Sequence, residues 1–185
     1  DLTGRIFAVE TGLSSDPLMN WRLKQLDPFV LVSNSDAHSP PKLGREANIF
    51  DTEFSYRGIL NALKDPKDKG LAGTLEFFPE EGKYHYDGHR VCQVRLHPKE
   101  TIANKGLCPV CGKPVTVGVM ARVEELADRL EGEKSPRWRP YTSLVPLPEL
   151  IAEAKDVGPS SKQVQEVFMN MLAKLGSEFY ILMDA

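Results

Sequence analysis

The feature of this chain that most constrains its fold is a pair of short motifs that supply four metal-ligand side chains. The motifs are His-Arg-Val-Cys over residues 89–92 and Cys-Pro-Val-Cys over residues 108–111, and together they contain all three cysteines. Structural zinc sites are tetrahedral and use thiolate and imidazole ligands, usually two from each of two short loops. The spacing therefore predicts a structural zinc ion held by four ligands, namely His89, Cys92, Cys108 and Cys111.

Two alternatives to this prediction stay open at the level of sequence. A Cys-x-x-Cys motif also occurs in redox proteins, although a redox role would not explain the third cysteine and the histidine upstream. His85 and His97 flank the same segment and are alternative fourth ligands. We prefer His89 because its spacing to Cys92 matches that of a metal-binding knuckle.

Length and composition describe an ordinary globular protein. The chain has 185 residues, which is enough for one full core or two small ones. A net charge of −3 gives no overall signature of nucleic-acid binding, although a local basic groove is compatible with it. Three cysteines favour a reducing compartment over a disulfide framework, and no stretch approaches the ~20 apolar residues of a membrane span. We predict a cytoplasmic protein.

Both ends of the sequence have the character of an excised piece. The first residue is Asp1 rather than Met, and an apolar run over residues 179–183 stops two residues before the end. We therefore expect these residues to be part of a longer protein.

Hydrophobic runs followed by polar residues predict a parallel α/β arrangement in the first part of the chain. Residues 5–10 and 29–33 are predicted strands, and residues 17–26 are a predicted helix with Asp16 as its N-cap and Pro17 at its first position. Polar residues follow both strands at their carboxyl ends. In parallel α/β barrels and sheets, the chemistry lies at that end.

The rest of the chain is predicted to be a zinc segment followed by helices. The predicted elements are a helix at 55–64, a strand at 71–78, helices at 117–130, 147–155 and 161–175, and a linker at 131–140. The apolar spacing of residues 117–130 is that of an amphipathic helix. We predict a barrel part over residues 1–70, a zinc-binding module over 71–130 and a truncated helical region over 141–185.

Asp36 and His38 are candidate metal ligands at the end of the second predicted strand. If the backbone there is extended, residues two apart point to the same side. A carboxylate beside an imidazole suits a divalent ion such as zinc or manganese. The alternative is a turn capped by Asp36 with a hydrogen-bonded histidine.

This stretch resembles the last metal-binding motif of the PHP superfamily of phosphoesterases, and the match extends beyond it. Five segments, in the same order, resemble the endonuclease Q family, whose members nick DNA beside deaminated bases and carry a zinc module after a PHP barrel. The segments are ETGLSSDP (10–17), SNSDAHSP (33–40), LGREAN (43–48), GKYHYDGHR (82–90) and CPVCGKP (108–114). The resemblance covers nearly the whole chain.

The resemblance implies an α/β fold made of the final strand-helix units of a PHP-type (β/α) barrel, followed by the zinc module and a helical C-terminal part. It implies a metal-dependent DNA endonuclease in which Asp36 and His38 bind catalytic divalent metals, zinc or manganese, and DNA is the partner. One departure matters, because no histidine precedes His38 and the family's His-x-His motif is absent. Two ligands cannot hold a multi-metal centre, so we expect these 185 residues alone to be inactive.

Further residues are candidates for contacts with substrate. Glu10 ends the first strand and could be a ligand, a base or a substrate contact, or a surface carboxylate in an ion pair. Ser14 and Ser15 could hydrogen-bond a phosphate or a flipped base, or could cap the following helix. Asn34 lies in the same polar cluster as Asp36, and we assign it to substrate.

The segment from Arg137 to Tyr141 interleaves basic and aromatic residues. Arg137 and Arg139 could contact phosphate while Trp138 stacks on a base, or the segment could be a linker whose tryptophan packs on the zinc module.

Three functions compete at this stage. The first is a DNA endonuclease for damaged bases, the second a zinc-containing nucleic-acid or protein binding module without catalysis, and the third a phosphoesterase for a small ester. The zinc motifs and the downstream helices disfavour the third function, since a small substrate needs no such extension.

Overall fold

The computed structural model describes residues 3–64 and 70–184 and divides the chain into two compact units, residues 1–143 and 144–185. The strands are β1 (Ala8–Glu10), β2 (Val30–Val32), β3 (Ala47–Phe50), β4 (Leu71–Glu76), β5 (Asp87–His89), β6 (Val94–Leu96) and β7 (Tyr141–Ser143). The helices are α1 (Pro17–Asn20), α2 (Tyr56–Lys64), α3 (Pro98–Ala103), α4 (Val119–Leu126), α5 (Leu147–Lys155), α6 (Lys162–Leu175) and α7 (Glu178–Asp184).

The predicted strand-helix-strand order of the first part is confirmed, with a shorter helix than expected. Strands β1 and β2 pair in parallel, with Glu10 opposite Val32. Asp16 caps α1 by accepting a hydrogen bond from the Met19 N–H at 2.7 Å. The helix ends at Asn20 rather than at residue 26 because Leu23 takes an extended backbone and packs its side chain with Met19 and α4.

A second sheet has the strand order β3-β4-β7, with β3 antiparallel and β7 parallel to β4. Most side chains of β4 are buried, including that of Glu76 at its end. Neither β3 nor β7 was predicted. The sequence Ala-Asn-Ile-Phe of β3 lacks an alternating pattern, and β7 has only three residues. Because β4 begins at Leu71 and pairs with β3, this sheet crosses the predicted boundary at residue 70.

The predicted zinc segment folds as an antiparallel hairpin of β5 and β6, followed by α3, a long loop and α4. The loop returns to the hairpin through a bridge between Gly88 and Thr116. Helix α4 is shorter than the predicted 117–130. It starts after Gly118, whose N–H donates to the Asp87 carboxylate at 2.6 Å, and it ends where Ala127 becomes extended.

The predicted linker at 131–140 is part of the first unit and packs against residues 21–27. Ser135 is buried and donates to the Asp27 carboxylate at 2.9 Å. The Trp138 ring lies 6.2 Å from that of Trp21, just after α1, so it packs there and not on the zinc segment.

The second unit is a cluster of three helices. The predicted helices at 147–155 and 161–175 are confirmed as α5 and α6, with Ser161 capping α6. Helix α7 was not predicted. It contributes Ile181 to a core formed with Leu147, Ile151 and Val164.

The described residues thus form a mixed α/β fold with two- and three-stranded sheets. The PHP-type barrel predicted for the first part is not seen as a closed barrel within them. Across residues 3–64 and 70–184, no helix combines the length and apolarity that a membrane crossing requires.

Candidate metal centre and polar strand ends

Four side chains from the two short motifs converge on one point. The ligand atoms of His89, Cys92, Cys108 and Cys111 all lie within 4.8 Å of one another. Tetrahedral zinc with bonds of about 2.3 Å places its sulfur ligands about 3.8 Å apart, so the spacing fits one such ion. It is the only group of three or more potential metal ligands among the residues that the structure describes.

Local backbone geometry positions these ligands. His89 is the last residue of β5, and a single 3₁₀ turn then carries Cys92 back toward it. In the second motif the Gly112 N–H donates to the Cys108 carbonyl at 2.8 Å, which closes a tight turn. Gly112 has a φ of 68°, a conformation that glycine adopts without steric cost.

The other histidines near this segment are engaged elsewhere. His85 is fully buried, and its Nδ1 lies 3.0 Å from the Ser14 carbonyl oxygen. His97 caps α3, where its Nδ1 accepts a hydrogen bond from the Lys99 N–H at 3.2 Å. The structure therefore groups His89, rather than His85 or His97, with the three cysteines.

The thiols of the cluster differ in acidity before any metal binds. The pKa of Cys92 is raised to about 11, chiefly by its hydrogen bond with Cys111 and then by burial. Burial would raise the pKa of Cys108 as well, but hydrogen bonds from the N–H groups of Cys111 and Val110 outweigh it and lower this pKa to about 7. Cys108 is thus more readily available as a thiolate ligand than Cys92, and metal binding requires the cysteine ligands to lose their protons.

Asp36 and His38 lie close together on the surface beyond the end of β2. Asp36 has a φ of 44°, so the backbone is left-handed there and the extended alternation assumed from the sequence is wrong. The side chains come together instead because the chain turns, with the His38 Nδ1 at 2.9 Å from the Asp36 carbonyl oxygen and 3.9 Å from its carboxylate. Both side chains are exposed, and no third potential metal ligand joins them among the described residues.

The remaining strand-end candidates differ in how available they are. Glu10 and Asn34 are exposed at the ends of β1 and β2. Ser14 is half-buried, and its carbonyl faces His85. Ser15 is buried, and its hydroxyl donates to the Thr11 carbonyl and accepts from Asn20 at 2.9 Å, so it serves the loop itself.

A polar cluster beneath these strand ends was missed in the sequence. Glu76 is fully buried, and its carboxylate accepts hydrogen bonds from the Ser33 hydroxyl at 2.9 Å, the Thr11 hydroxyl at 3.2 Å and the Thr74 hydroxyl at 2.5 Å. Thr11 and Ser33 directly follow β1 and β2, so Glu76 joins the two sheets at the end where the candidate residues lie.

Glu46 belongs to the same cluster. It directly precedes β3, and the antiparallel register that pairs Ala47 with Leu75 places it opposite Glu76. Burial is the main cause that raises the pKa of Glu46 to about 7, and the charge of Glu76 adds to it. Burial also raises the pKa of Glu76.

The segment of residues 43–48 supports the strand-end loop. Asn48 makes two hydrogen bonds with the backbone of Ser33, at 2.9 Å and 2.7 Å, and the Arg45 side chain donates to the Ser35 carbonyl at 2.8 Å. The resemblance singled out this motif, but its role depends on contacts with residues ten or more positions away.

Arg137 and Arg139 contact backbone carbonyl groups. A guanidinium nitrogen of Arg137 donates to the Pro28 carbonyl at 2.5 Å, and Nε of Arg139 donates to the Leu71 carbonyl at 3.1 Å. A phosphate contact by either side chain would have to replace or share these bonds.

The fold and the ligand group define the class of this protein: a mixed α/β chain with a Cys₃His group that could hold a metal ion in one unit and a helical second unit. Residues 146–185, which cover most of the second unit, match the family described as the MJ0043 C-terminal domain. The chain is 34% identical over 187 residues to the uncharacterized protein MJ0043 of Methanocaldococcus jannaschii, and 35% identical over 144 residues to the uncharacterized protein YqxK of Bacillus subtilis.

Two solved structures that this chain resembles have a named activity, unlike the uncharacterized relatives. One is the lesion-specific endonuclease PfuEndoQ of Pyrococcus furiosus, with a TM-score of 0.84 and 34% identity over 95% of this chain. Another is endonuclease Q in complex with a 27-mer duplex that carries an abasic lesion at the active site, with a TM-score of 0.81 and 33% identity. The resemblance to the endonuclease Q family drawn from the sequence is therefore confirmed.

The relatives are much longer than this chain. The match to MJ0043 covers 96% of this chain but 23% of MJ0043, and the match to YqxK covers 77% of this chain but 35% of YqxK. The matches to the two endonuclease Q structures each cover 95% of this chain but only 44% and 45% of those chains.

Proposed function

We propose that this chain is part of a metal-dependent DNA endonuclease that hydrolyses a phosphodiester bond at deaminated or otherwise damaged bases. The observation that carries the proposal is its similarity, over 95% of its length, to a lesion-specific endonuclease. Because this chain covers only 44% of that relative, we assign the activity to a longer protein that contains these residues. In that protein β1 and β2 would be late strands of a PHP-type barrel.

Asp36 and His38 would contribute to the catalytic metal site of that protein. They are exposed, adjacent and at the carboxyl end of a parallel strand pair, where α/β enzymes place their ligands. Divalent metals in such a site lower the pKa of bound water and stabilise the charge that develops on the phosphate. Glu10 and Asn34, at the ends of the same two strands, would line the cleft, and Ser14 would contact the substrate.

The ion in the Cys₃His cluster would be structural zinc. Three thiolates and one imidazole are a donor set that zinc prefers, and all four ligand positions are filled by the protein, as in closed structural sites. Its contribution would be to hold the hairpin of β5 and β6 against the loop that bears Cys108 and Cys111.

The surface charge of the zinc segment supports a DNA partner. Residues 83–117 contain six Lys or Arg and two Asp or Glu, a net charge of +4, although the whole chain has −3. All six basic side chains are exposed, namely Lys83, Arg90, Arg95, Lys99, Lys105 and Lys113. Basic side chains that neutralise phosphates supply much of the affinity of proteins for DNA.

A nicking assay tests the proposal. The 185-residue chain should not cut duplex DNA with a single uracil or hypoxanthine, because Asp36 and His38 alone cannot hold the metals. The longer protein should nick it with added Mn²⁺, and its Asp36→Ala and His38→Ala variants should lose cleavage while retaining DNA binding. Asp51→Ala removes another exposed carboxylate, from the loop after β3, and is the matched control. Cleavage by Asp36→Ala at the wild-type rate would overturn the metal-ligand assignment.

A second candidate function is a zinc-containing module that binds nucleic acid or protein without catalysis. The observation that favours it is that Asp36 and His38 have no third ligand among the described residues. The same assay separates the two candidates. Binding of the lesion duplex without cleavage by the longer protein, under any divalent metal, would favour the module.

A further inference from the structure

The segment that leads into the metal site packs closely against the loop between β1 and α1. This loop, residues Thr11–Asp16, contains Ser14, which the proposed function assigns to the substrate. A Cβ atom at Gly82 would lie 2.8 Å from the Leu13 carbonyl oxygen and 3.1 Å from the Ser14 hydroxyl, so the two backbones meet without room for a side chain.

His85 makes the polar contact between the same two segments. Its Nδ1 lies 3.0 Å from the Ser14 carbonyl oxygen, which can only accept, so Nδ1 carries the hydrogen. The ring is fully buried and stacks edge-to-face on Tyr86 with a centroid distance of 4.5 Å. Its Nε2 is buried and has no hydrogen-bond partner among the described residues. The orientation of the ring is therefore set by the Ser14 contact and by packing.

A short path of hydrogen bonds and close backbone contacts connects His85 to the candidate metal ligands. The His85 carbonyl accepts the Met120 N–H at 3.0 Å, and Asp87 accepts the Gly118 N–H at 2.6 Å. A Cβ at Gly118 would lie 2.5 Å from the His85 carbonyl oxygen, so α4 begins directly against this segment. Strand β5 then runs from Asp87 to the ligand His89.

We propose that the bound metal holds the Thr11–Asp16 loop in place through His85, which acts as a positioning residue. Binding the metal fixes β5 through His89, β5 fixes the segment that holds His85, and His85 fixes the Ser14 carbonyl. The role of this loop as a substrate loop rests on the proposed function. The mechanical coupling of metal and loop does not.

Amide hydrogen exchange of the full 185-residue chain tests this coupling. Removal of the metal with a chelator should accelerate exchange in the peptide covering residues 11–16 by about fivefold, the effect of losing one net hydrogen bond. His85→Ala should do the same with metal present. Peptides from α2, which packs on β4 away from this path, are the internal reference and should not change.

Two conservative variants make the test specific for the Ser14 contact. An asparagine amide nitrogen takes the place of Nδ1, so His85→Asn should keep the wild-type exchange rate of the loop. A glutamine places its amide nearer the position of Nε2, so His85→Gln should behave like His85→Ala. Metal removal tests the coupling in the wild-type sequence, so the test remains decisive even if His85→Ala fails to fold.

Several outcomes would overturn the inference. One is faster exchange in residues 87–118 after metal removal with an unchanged rate in residues 11–16. Another is an Asn variant that exchanges as fast as the Ala variant. Failure of the proposed function looks different, because a chain that does not bind lesion DNA would still show the metal-dependent protection of the loop.

Discussion

Replacing Glu46 with glutamine should stabilise this protein at alkaline pH and leave its stability nearly unchanged at acid pH. Glu46 is 3% exposed, lies opposite the buried Glu76, and has a pKa raised from 4.5 to about 7. One of its carboxylate oxygens, Oε2, is buried without a hydrogen-bond partner among the described residues. The protonated form of Glu46 is thus the one that the fold accommodates.

The sign of the effect follows from proton linkage. Because the pKa of Glu46 is higher in the folded state than in the unfolded state, folding binds a proton between about pH 4.5 and about pH 7. The free energy of unfolding therefore falls as pH rises through this window and then levels off. A pKa difference of this size corresponds to about 3 kcal/mol, at about 1.4 kcal/mol for each pKa unit.

The Glu46→Gln variant isolates this contribution, since glutamine keeps the shape of the protonated acid and does not ionise. Urea unfolding can be followed by the fluorescence of Trp21 and Trp138, both of which lie in the same unit as Glu46. The variant should gain up to about 3 kcal/mol over the wild type at about pH 8, and close to nothing at about pH 4.5. The pH dependence of the metal site is common to both proteins and cancels in the difference.

The control is Glu53→Gln, which changes an exposed carboxylate near the start of α2. Its effect on stability should be small and should not vary with pH. A free-energy difference between wild type and Glu46→Gln that is the same at both pH values would refute the assignment of a proton to Glu46.

Two further predictions concern the metal and DNA. The purified chain should contain one equivalent of zinc, and Cys108→Ser should lose most of it, because structural zinc typically contributes on the order of 10 kcal/mol to small modules and needs its full ligand set; an unchanged zinc content measured by elemental analysis would contradict the site. In titrations of DNA binding at several salt concentrations, Lys105→Ala should weaken binding and reduce the salt slope by about one unit. Arg139→Ala should also weaken binding and reduce the slope if its guanidinium turns from the Leu71 carbonyl to a phosphate. An unchanged slope for this variant alone would mean that Arg139 stabilises the fold and does not contact DNA.

The Cys₃His ligand group could be predicted from sequence because its ligands lie in two short motifs. The two knuckles use two-residue gaps, and the turn at Gly112 follows from the residue type, so each half forms within a few residues. The same holds for the cap at Asp16, whose side chain bonds an N–H three residues ahead.

The polar cluster under the strand ends could not be predicted, because it depends on register. Glu76 is the one charged residue of β4, an otherwise largely apolar strand, and this is the one signal that the sequence offered. Glu46 is thirty residues away in sequence, and only the pairing of β3 with β4 brings it beside Glu76. Strand β3 lacks a recognisable sequence pattern, so this pairing could not be predicted. The early end of α1 has a similar cause, since Leu23 leaves the helix to pack against α4.

The buried cluster also bears on the exposed candidates above it. Thr11 and Ser33 each follow a strand directly, and each donates a hydroxyl to Glu76, so a single carboxylate fixes both strand ends. Glu10 and Asn34 are the sequence neighbours of these two residues, so the same hydrogen bonds fix the backbone that carries them. An exposed pair of side chains would otherwise sample many rotamers, and catalytic groups need to be held within a fraction of an ångström. The loss of Glu76 would therefore displace the strand ends themselves, whereas the loss of Asp36 would remove a side chain from a backbone that Arg45 and Asn48 still hold.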